Sequence, residues 1–186
     1  MSVILFSCDG GDLLLPDRTS LLVGRANGGN LVVNPPRPVW ERSELTPAEL
    51  SAFAFLVAAA GRAMIDVLPQ LAGGCINYWE AGNWALNDQA EPRGCKDPRT
   101  HRKMHLHLLG RSPASADPAW AWGESPIFPR FADKDSQASA FDCLTADECR
   151  AIVERTDALL RSKYGVTRAQ IRRWQLDASG YPRSQT

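Results

Sequence analysis

The chain has 186 residues, and its 21 Lys plus Arg are balanced by 21 Asp plus Glu, so the formal net charge at neutral pH is zero. That length points to one domain that buries a core without staples, since about 70% of the unfolded surface leaves water at this size. The charge balance excludes the broad basic footprint of an extended nucleic-acid surface, though not a local pocket for one phosphate.

Five cysteines, Cys8, Cys75, Cys95, Cys143 and Cys149, form no CxxC pair and read as free thiols in a reducing compartment. The N-terminal "MSVILFSCDGGD" has no basic start and runs at once into Asp9 and Asp12, so no signal peptide is expected. No apolar run is expected to reach the roughly 18 residues that span a bilayer. The expectation is a cytoplasmic protein with no membrane partner.

In chain order, "DLLLPDRTSLLVGRANGGNLVVNPP" reads as three short strands, Leu13–Leu15, Leu21–Gly24 and Leu31–Asn34, separated by the turns "PDRTS" and "ANGGN" and ended by Pro35 and Pro36. "LTPAEL" then combines Thr46 as N-cap, Pro47 at the first helical position and Glu49 three residues after the cap, with Leu45 and Leu50 placed as a hydrophobic staple. The helix runs to about Leu68, before Pro69, and is apolar enough that most of its girth should be covered. "GGCINYWEAGNWALNDQ" carries a strand near Cys75–Trp79, a turn at "EAGN" and a second strand at Trp84–Leu86. After the polar loop "AEPRGCKDPRT" comes a strand over Lys103–Leu109. "SPASADPAWAWGESPIFPRF" is irregular. "LTADEC" repeats the capping chemistry with Thr145 and Glu148, for a helix to Tyr164 stopped by Gly165. "VTRAQI" predicts a third helix from Thr167 and Gln170.

All three histidines of the chain, His101, His105 and His107, fall within "HRKMHLHLLGR", residues 101–111. In an extended strand Lys103, His105, His107 and Leu109 share one face, while Met104, Leu106 and Leu108 share the other and face the core. His105 and His107 then lie roughly 7 Å apart. Three readings of that pair stand open: half-buried polar residues on a solvated face; a His-x-His metal chelate needing a third ligand such as Glu80, Asp97 or His101; or a pair in which one imidazole attacks phosphorus while the other steadies the charge.

"MHLHLLGR" resembles the histidine triad (HIT) motif, alternating histidines with hydrophobic residues. "GGNLVVNPPRPVWERSELTPAEL" is similar to that family's strand and capped helix, and "GGCINYWEAGN" to its next strand and turn, so the resemblance covers residues 12–111. It implies that His105 is the nucleophile of a covalent nucleotidyl-histidine intermediate and that His107 contacts the phosphate. It implies that Thr100 assists the leaving group and that Arg99 binds a phosphate. It also implies that Asn77 or Asn83, with Trp79 or Trp84, lines the nucleotide. The first histidine of the triad is here Lys103, which would bring a positive charge to the phosphate and lower the pKa of His105. Asn30 stands where many members carry a further histidine.

The fold expected is α+β and HIT-like: an antiparallel sheet with a long helix packed on it, as residues 1–115, and a helical C-terminal extension, residues 116–186, packed on the same domain. The function expected is a nucleotide phosphate hydrolase or nucleotidyl transferase. The alternatives are a non-catalytic nucleotide-binding module and a metal-dependent enzyme using the His-x-His chelate. The catalytic residues expected are His105, His107 and Thr100; Lys103, Arg99, Asn77, Asn83, Asn30 and Trp84 are expected to bind substrate. No metal or cofactor is expected. The partner expected is a nucleotide or nucleotide-derived small molecule, and HIT membership implies a homodimer.

Overall fold

The computed structural model describes residues 2–174. Six strands form one antiparallel sheet: β1 (Val3–Cys8), β2 (Gly11–Leu15), β3 (Asn30–Asn34), β4 (Cys75–Ala81), β5 (His105–Arg111) and β6 (Ile171–Trp174), in the spatial order β4-β5-β3-β2-β1-β6. Four α-helices accompany them: α1 (Pro47–Val67), α2 (Pro98–His101), α3 (Lys134–Ser139) and α4 (Ala146–Tyr164). The α+β class and the long helix on an antiparallel sheet are as expected. β5 sits inside the sheet between β4 and β3, with His107 opposite Trp79 on one side and Val32 on the other.

The two long helices begin where their capping chemistry says. The Glu49 backbone N–H donates to the Thr46 hydroxyl at 3.3 Å, and the Thr46 N–H donates back to the Glu49 carboxylate at 2.8 Å. Thr145 and Glu148 repeat the pair, and Gly165, at φ +68°, ends α4 in the left-handed conformation that glycine adopts freely. Phe53, Leu56, Ala59, Ala60, Ala63 and Met64 of α1 bury against the sheet and α4, meeting Leu13, Leu31, Val33, Leu106, Leu108, Ile152, Val153 and Leu160 in one core. Each such large aliphatic group contributes about 1.5–3 kcal/mol on burial. The small residues let helix and sheet approach closely: a Cβ added at Gly61 would lie 2.3 Å from the Tyr78 hydroxyl. The staple is half formed, since Leu45 is buried and Leu50 is exposed.

Several expectations are corrected. Val3–Cys8, unassigned from sequence, is a strand that pairs with β2. Leu21–Gly24 is not a strand: Leu22 and Val23 bury their side chains, but the Leu22 N–H is satisfied by the Asn30 side chain, not by a ladder. Trp84–Leu86 lies in a 3₁₀ turn, Asn83–Leu86, entered through Gly82 at φ +131°. The helix expected from Thr167 is one 3₁₀ turn, Arg168–Gln170, after which Ile171–Trp174 adds to the open edge of β1; residues beyond 174 lie outside the described part. The histidine strand starts at His105, not Lys103, and continues through Gly110 to Arg111. By length and composition α1 is apolar enough to cross a bilayer, with a mean hydropathy of 1.6. Its inner face packs in the core, while Leu50 and Phe55 stay exposed, so less of its girth is covered than the sequence predicts.

The sheet face opposite α1 is covered as well. Leu22, Val23, Leu109 and Trp120 form a second cluster with Trp79, Trp84, Ala119 and Phe128. Arg111 holds the covering segment: its Nη2 donates to the Ala121 and Glu124 carbonyls, both at 2.7 Å, and its guanidinium lies 5.3 Å from the Trp120 ring centre. At the same end of β5, Gly110 passes against the turn before β3. A Cβ there would meet Gly28 Cα at 2.5 Å and the Asn27 carbonyl at 2.6 Å, and the Gly110 N–H donates to the Gly29 carbonyl at 2.9 Å.

Candidate functional site

Strand alternation puts Leu106 and Leu108 toward α1 and His105 and His107 on the opposite face, their ring centres 5.0 Å apart. The two Nε2 atoms lie 3.1 Å from each other. His105 Nδ1 lies 2.9 Å from the Lys103 carbonyl; a carbonyl only accepts, so this nitrogen carries the proton and donates. His107 Nδ1 lies 3.3 Å from Asn30 Nδ2. The His107 ring also faces Trp79 at 5.4 Å, and Trp79 stacks on Phe128 at 4.4 Å. His107 is therefore 7% exposed, enclosed between β3, β4 and the covering segment.

Both imidazoles are pushed toward neutrality. Burial takes the pKa of His107 down to about 3, with a further contribution from neighbouring His105. Burial also lowers that of His105; the Lys103 carbonyl opposes the shift, the Arg102 guanidinium adds to it and Glu80 opposes it. The cation acting on His105 is thus Arg102, where the sequence suggested the Lys103 ammonium.

Five of the expected residues line one cleft of about 560 Å³: His105, His107, Lys103, Asn83 and Trp84. Trp79, Ser20, His101 and Lys134 line it too. Four expected residues are elsewhere. Asn77 lines a separate cavity with Cys75, Arg111 and Trp122, because it sits two residues before Trp79 on β4, opposite Leu109 and not His107. Arg99 and Thr100 belong to α2, one helical turn capped by Asp97, which removes them from the extended approach to β5. Arg99 lies over the Trp40 ring at 5.4 Å. The Thr100 hydroxyl donates to the Asp97 carbonyl at 3.0 Å. Asn30 is buried, and its amide is spent on Leu22, Leu31 and His107, so it meets the histidine and not the cleft.

Two residues escaped the sequence reading. Arg102 is a nearly buried hub: its Nε donates to Asn83 Oδ1 at 3.1 Å, its Nη1 donates to the Trp40 carbonyl and to Glu41, and its Nη2 is 3.7 Å from Glu80. Glu80 also pairs with Arg42. The only available signal was a third basic residue beside Lys103. Lys134 comes from the C-terminal extension, over the Phe131 ring at 5.4 Å and paired with Asp135 at 2.6 Å. Nothing in "ADKDSQ" marks it. Among the described residues, no group of three His, Cys, Asp or Glu side chains is arranged to hold a metal ion.

No family model matches the chain, and no curated protein does. Among solved structures, a histidine triad protein from Marinobacter aquaeolei VT8 aligns with 83% of this chain and 90% of its own, at 18% sequence identity and a TM-score of 0.46.

Proposed function

We propose that the cleft binds a nucleotide-derived phosphate and that His105 attacks its phosphorus, as in a HIT-type hydrolase or nucleotidyl transferase. The observation that carries this reading is the Lys103 carbonyl on His105 Nδ1. It orients the ring, leaves Nε2 as the nitrogen with the lone pair, and stabilises the positive charge that the ring acquires as the N–P bond forms. The Nε2 lone pair makes that bond while the bond from phosphorus to the leaving group breaks. Water then attacks phosphorus, the N–P electron pair returns to Nε2, one proton of the water passes to solvent, and a nucleoside monophosphate leaves neutral His105.

Lys103 and Lys134, both lining the cleft, supply positive charge for the non-bridging oxygens. Trp84 is the better platform for a base, because the Trp79 ring already stacks on Phe128 and lies against His107. With Thr100 outside the cleft, a leaving group that departs as an anion is favoured over an amine that must be protonated. This reading therefore puts dinucleoside polyphosphates ahead of nucleoside phosphoramidates.

The non-catalytic nucleotide-binding alternative is favoured by one observation: His105 Nε2 is already hydrogen-bonded to His107. Assay of a dinucleoside polyphosphate and a nucleoside phosphoramidate, with and without EDTA, separates the readings. Turnover that survives EDTA, disappears in His105→Ala and leaves a nucleotidyl mass on the peptide containing His105 is the expected outcome. A thermal upshift with AMP and no turnover of either substrate leaves the binding module. Loss of turnover on chelation sinks the covalent reading.

A further inference from the structure

We infer that Asn30 is a positioning residue: its side-chain amide dictates which nitrogen of His107 carries the proton and, through His107, keeps the His105 lone pair capped until an anionic oxygen enters the cleft. The proton assignment stands on geometry alone; its use in turnover rests on the function proposed above.

The amide orientation of Asn30 is determined twice. The Leu22 N–H can only donate, so the atom 3.1 Å from it is Oδ1. The Leu31 carbonyl can only accept, so the atom 2.9 Å from it is Nδ2. The second N–H of that amide faces His107 Nδ1 at 3.3 Å, which must therefore accept. A neutral His107 then carries its proton on Nε2. The other end of the chain is independent: the Lys103 carbonyl requires the proton of His105 on Nδ1, leaving Nε2 bare. The two Nε2 atoms face each other at 3.1 Å, one with an N–H and one with a lone pair. Both ends thus demand the same arrangement: Asn30 donates to His107, His107 to His105, and His105 to the Lys103 carbonyl. An acceptor in place of the Asn30 amide would put two bare nitrogens against each other.

In this resting state the nucleophilic lone pair is engaged. A phosphoryl oxygen is a better acceptor than imidazole for the His107 N–H, because the bond to it is charge-assisted. When the oxygen takes that N–H, the His105 lone pair is released beside phosphorus. His107 then acts as a neutral donor, not as a cation.

Long-range ¹H–¹⁵N NMR on the labelled full chain reads the tautomers directly, with His101→Gln and His105→Gln giving the assignments. The expected spectrum has His107 protonated at Nε2 and His105 at Nδ1, with the His107 Nε2–H resonance moving on titration with inorganic phosphate. Asn30→Asp, which can only accept, is expected to switch His107 to the Nδ1–H form and to lower kcat about tenfold or more with KM little changed. His107 found as the Nδ1–H form in the wild type, or unchanged in Asn30→Asp, overturns the inference. If the variant does not fold, the wild-type spectrum still overturns the inference when it shows His107 as the Nδ1–H form. The expected tautomers without any nucleotidyl adduct would sink the proposed activity and leave the positioning role. An adduct with the opposite tautomers would do the reverse.

Discussion

The rings of Trp79 and Phe128 stack with centroids 4.4 Å apart, which ties the histidine face of β4 to a segment far downstream of the sheet. Phe128 also meets Trp120 edge-on at 5.7 Å. Phe128→Ala removes both aromatic pairs, and their loss is expected to cost about 2 kcal/mol in urea unfolding. Because Trp79 is the other side of the His107 pocket, the same variant should let water reach His107. Its NMR titration should then rise toward the ordinary histidine value; an unmoved titration would mean that Phe128 only fills space.

Acid sensitivity has a stated sign. The folded pKa of His107 is about 3 and that of His105 is also lowered, against 6.5 for a free imidazole. Between those values the unfolded chain binds protons that the folded chain refuses, so stability is full above about pH 6.5 and falls as pH drops toward 3. Glu49, held at about 2 by Arg37, loses its own contribution only below about 4.5. The window from pH 6.5 to 5 therefore belongs to the histidines. Thermal midpoints across that window should fall in the wild type and fall less in His107→Gln.

Arg111→Met should loosen the covering segment from a position outside the cleft. The Ala121 and Glu124 carbonyls lose their shared charged donor, and a hydrogen bond of that kind contributes about 1.5–3 kcal/mol. A destabilisation of about 2 kcal/mol with new proteolytic cuts near residues 121–126 is expected. Limited proteolysis with mass spectrometry locates the cuts, and an unchanged pattern would mean that Trp120 holds the segment by itself.

Gly110→Ala is expected to act on β3 through β5. The added Cβ collides with backbone at Gly28 and Asn27, which cannot move aside as a side chain would. Overpacking of this sort costs about 1–3 kcal/mol. Since Asn30 follows that turn immediately, the Asn30–His107 hydrogen bond should lengthen, seen as a shift of the His107 ring nitrogens. Stability lost with His107 unperturbed would show that β3 moves as a rigid piece.

Where a signal was local, the sequence was legible. Thr46, Pro47 and Glu49, like Thr145 and Glu148, satisfy the first turn of a helix by contacts three residues apart, and both helices begin there. The alternation at His105, Leu106, His107 and Leu108 assigned faces correctly because the side-chain period of a strand is two. Thr167 and Gln170 misled: the Thr167 N–H does donate to the Gln170 side chain, but the Gln170 N–H bonds the Thr167 carbonyl, one turn formed, and then Ile171–Trp174 paired with β1, a long-range choice that no local motif records.

The site divided in the same way. His105 and His107 were found from their spacing. Asn83, Trp84 and Lys103, named through the resemblance, do line the cleft. Arg99 and Thr100 lie outside the cleft because Asp97 caps a turn that bends them away. Arg102 and Lys134 were missed because their importance lies in what surrounds them: buried carbonyls and carboxylates for the first, and a distant helix brought to the cleft for the second.

Residue 103 acts at the site through an atom that every amino acid possesses. Its carbonyl orients His105, while its side chain stands exposed before the strand begins. The orientation of the His105 ring is therefore indifferent to what the side chain is. Exchange at this position becomes a dial for the charge of the cleft, turned without resetting the machinery behind it. An exchange of the Lys103 side chain is, on that footing, a change of voltage and not of wiring.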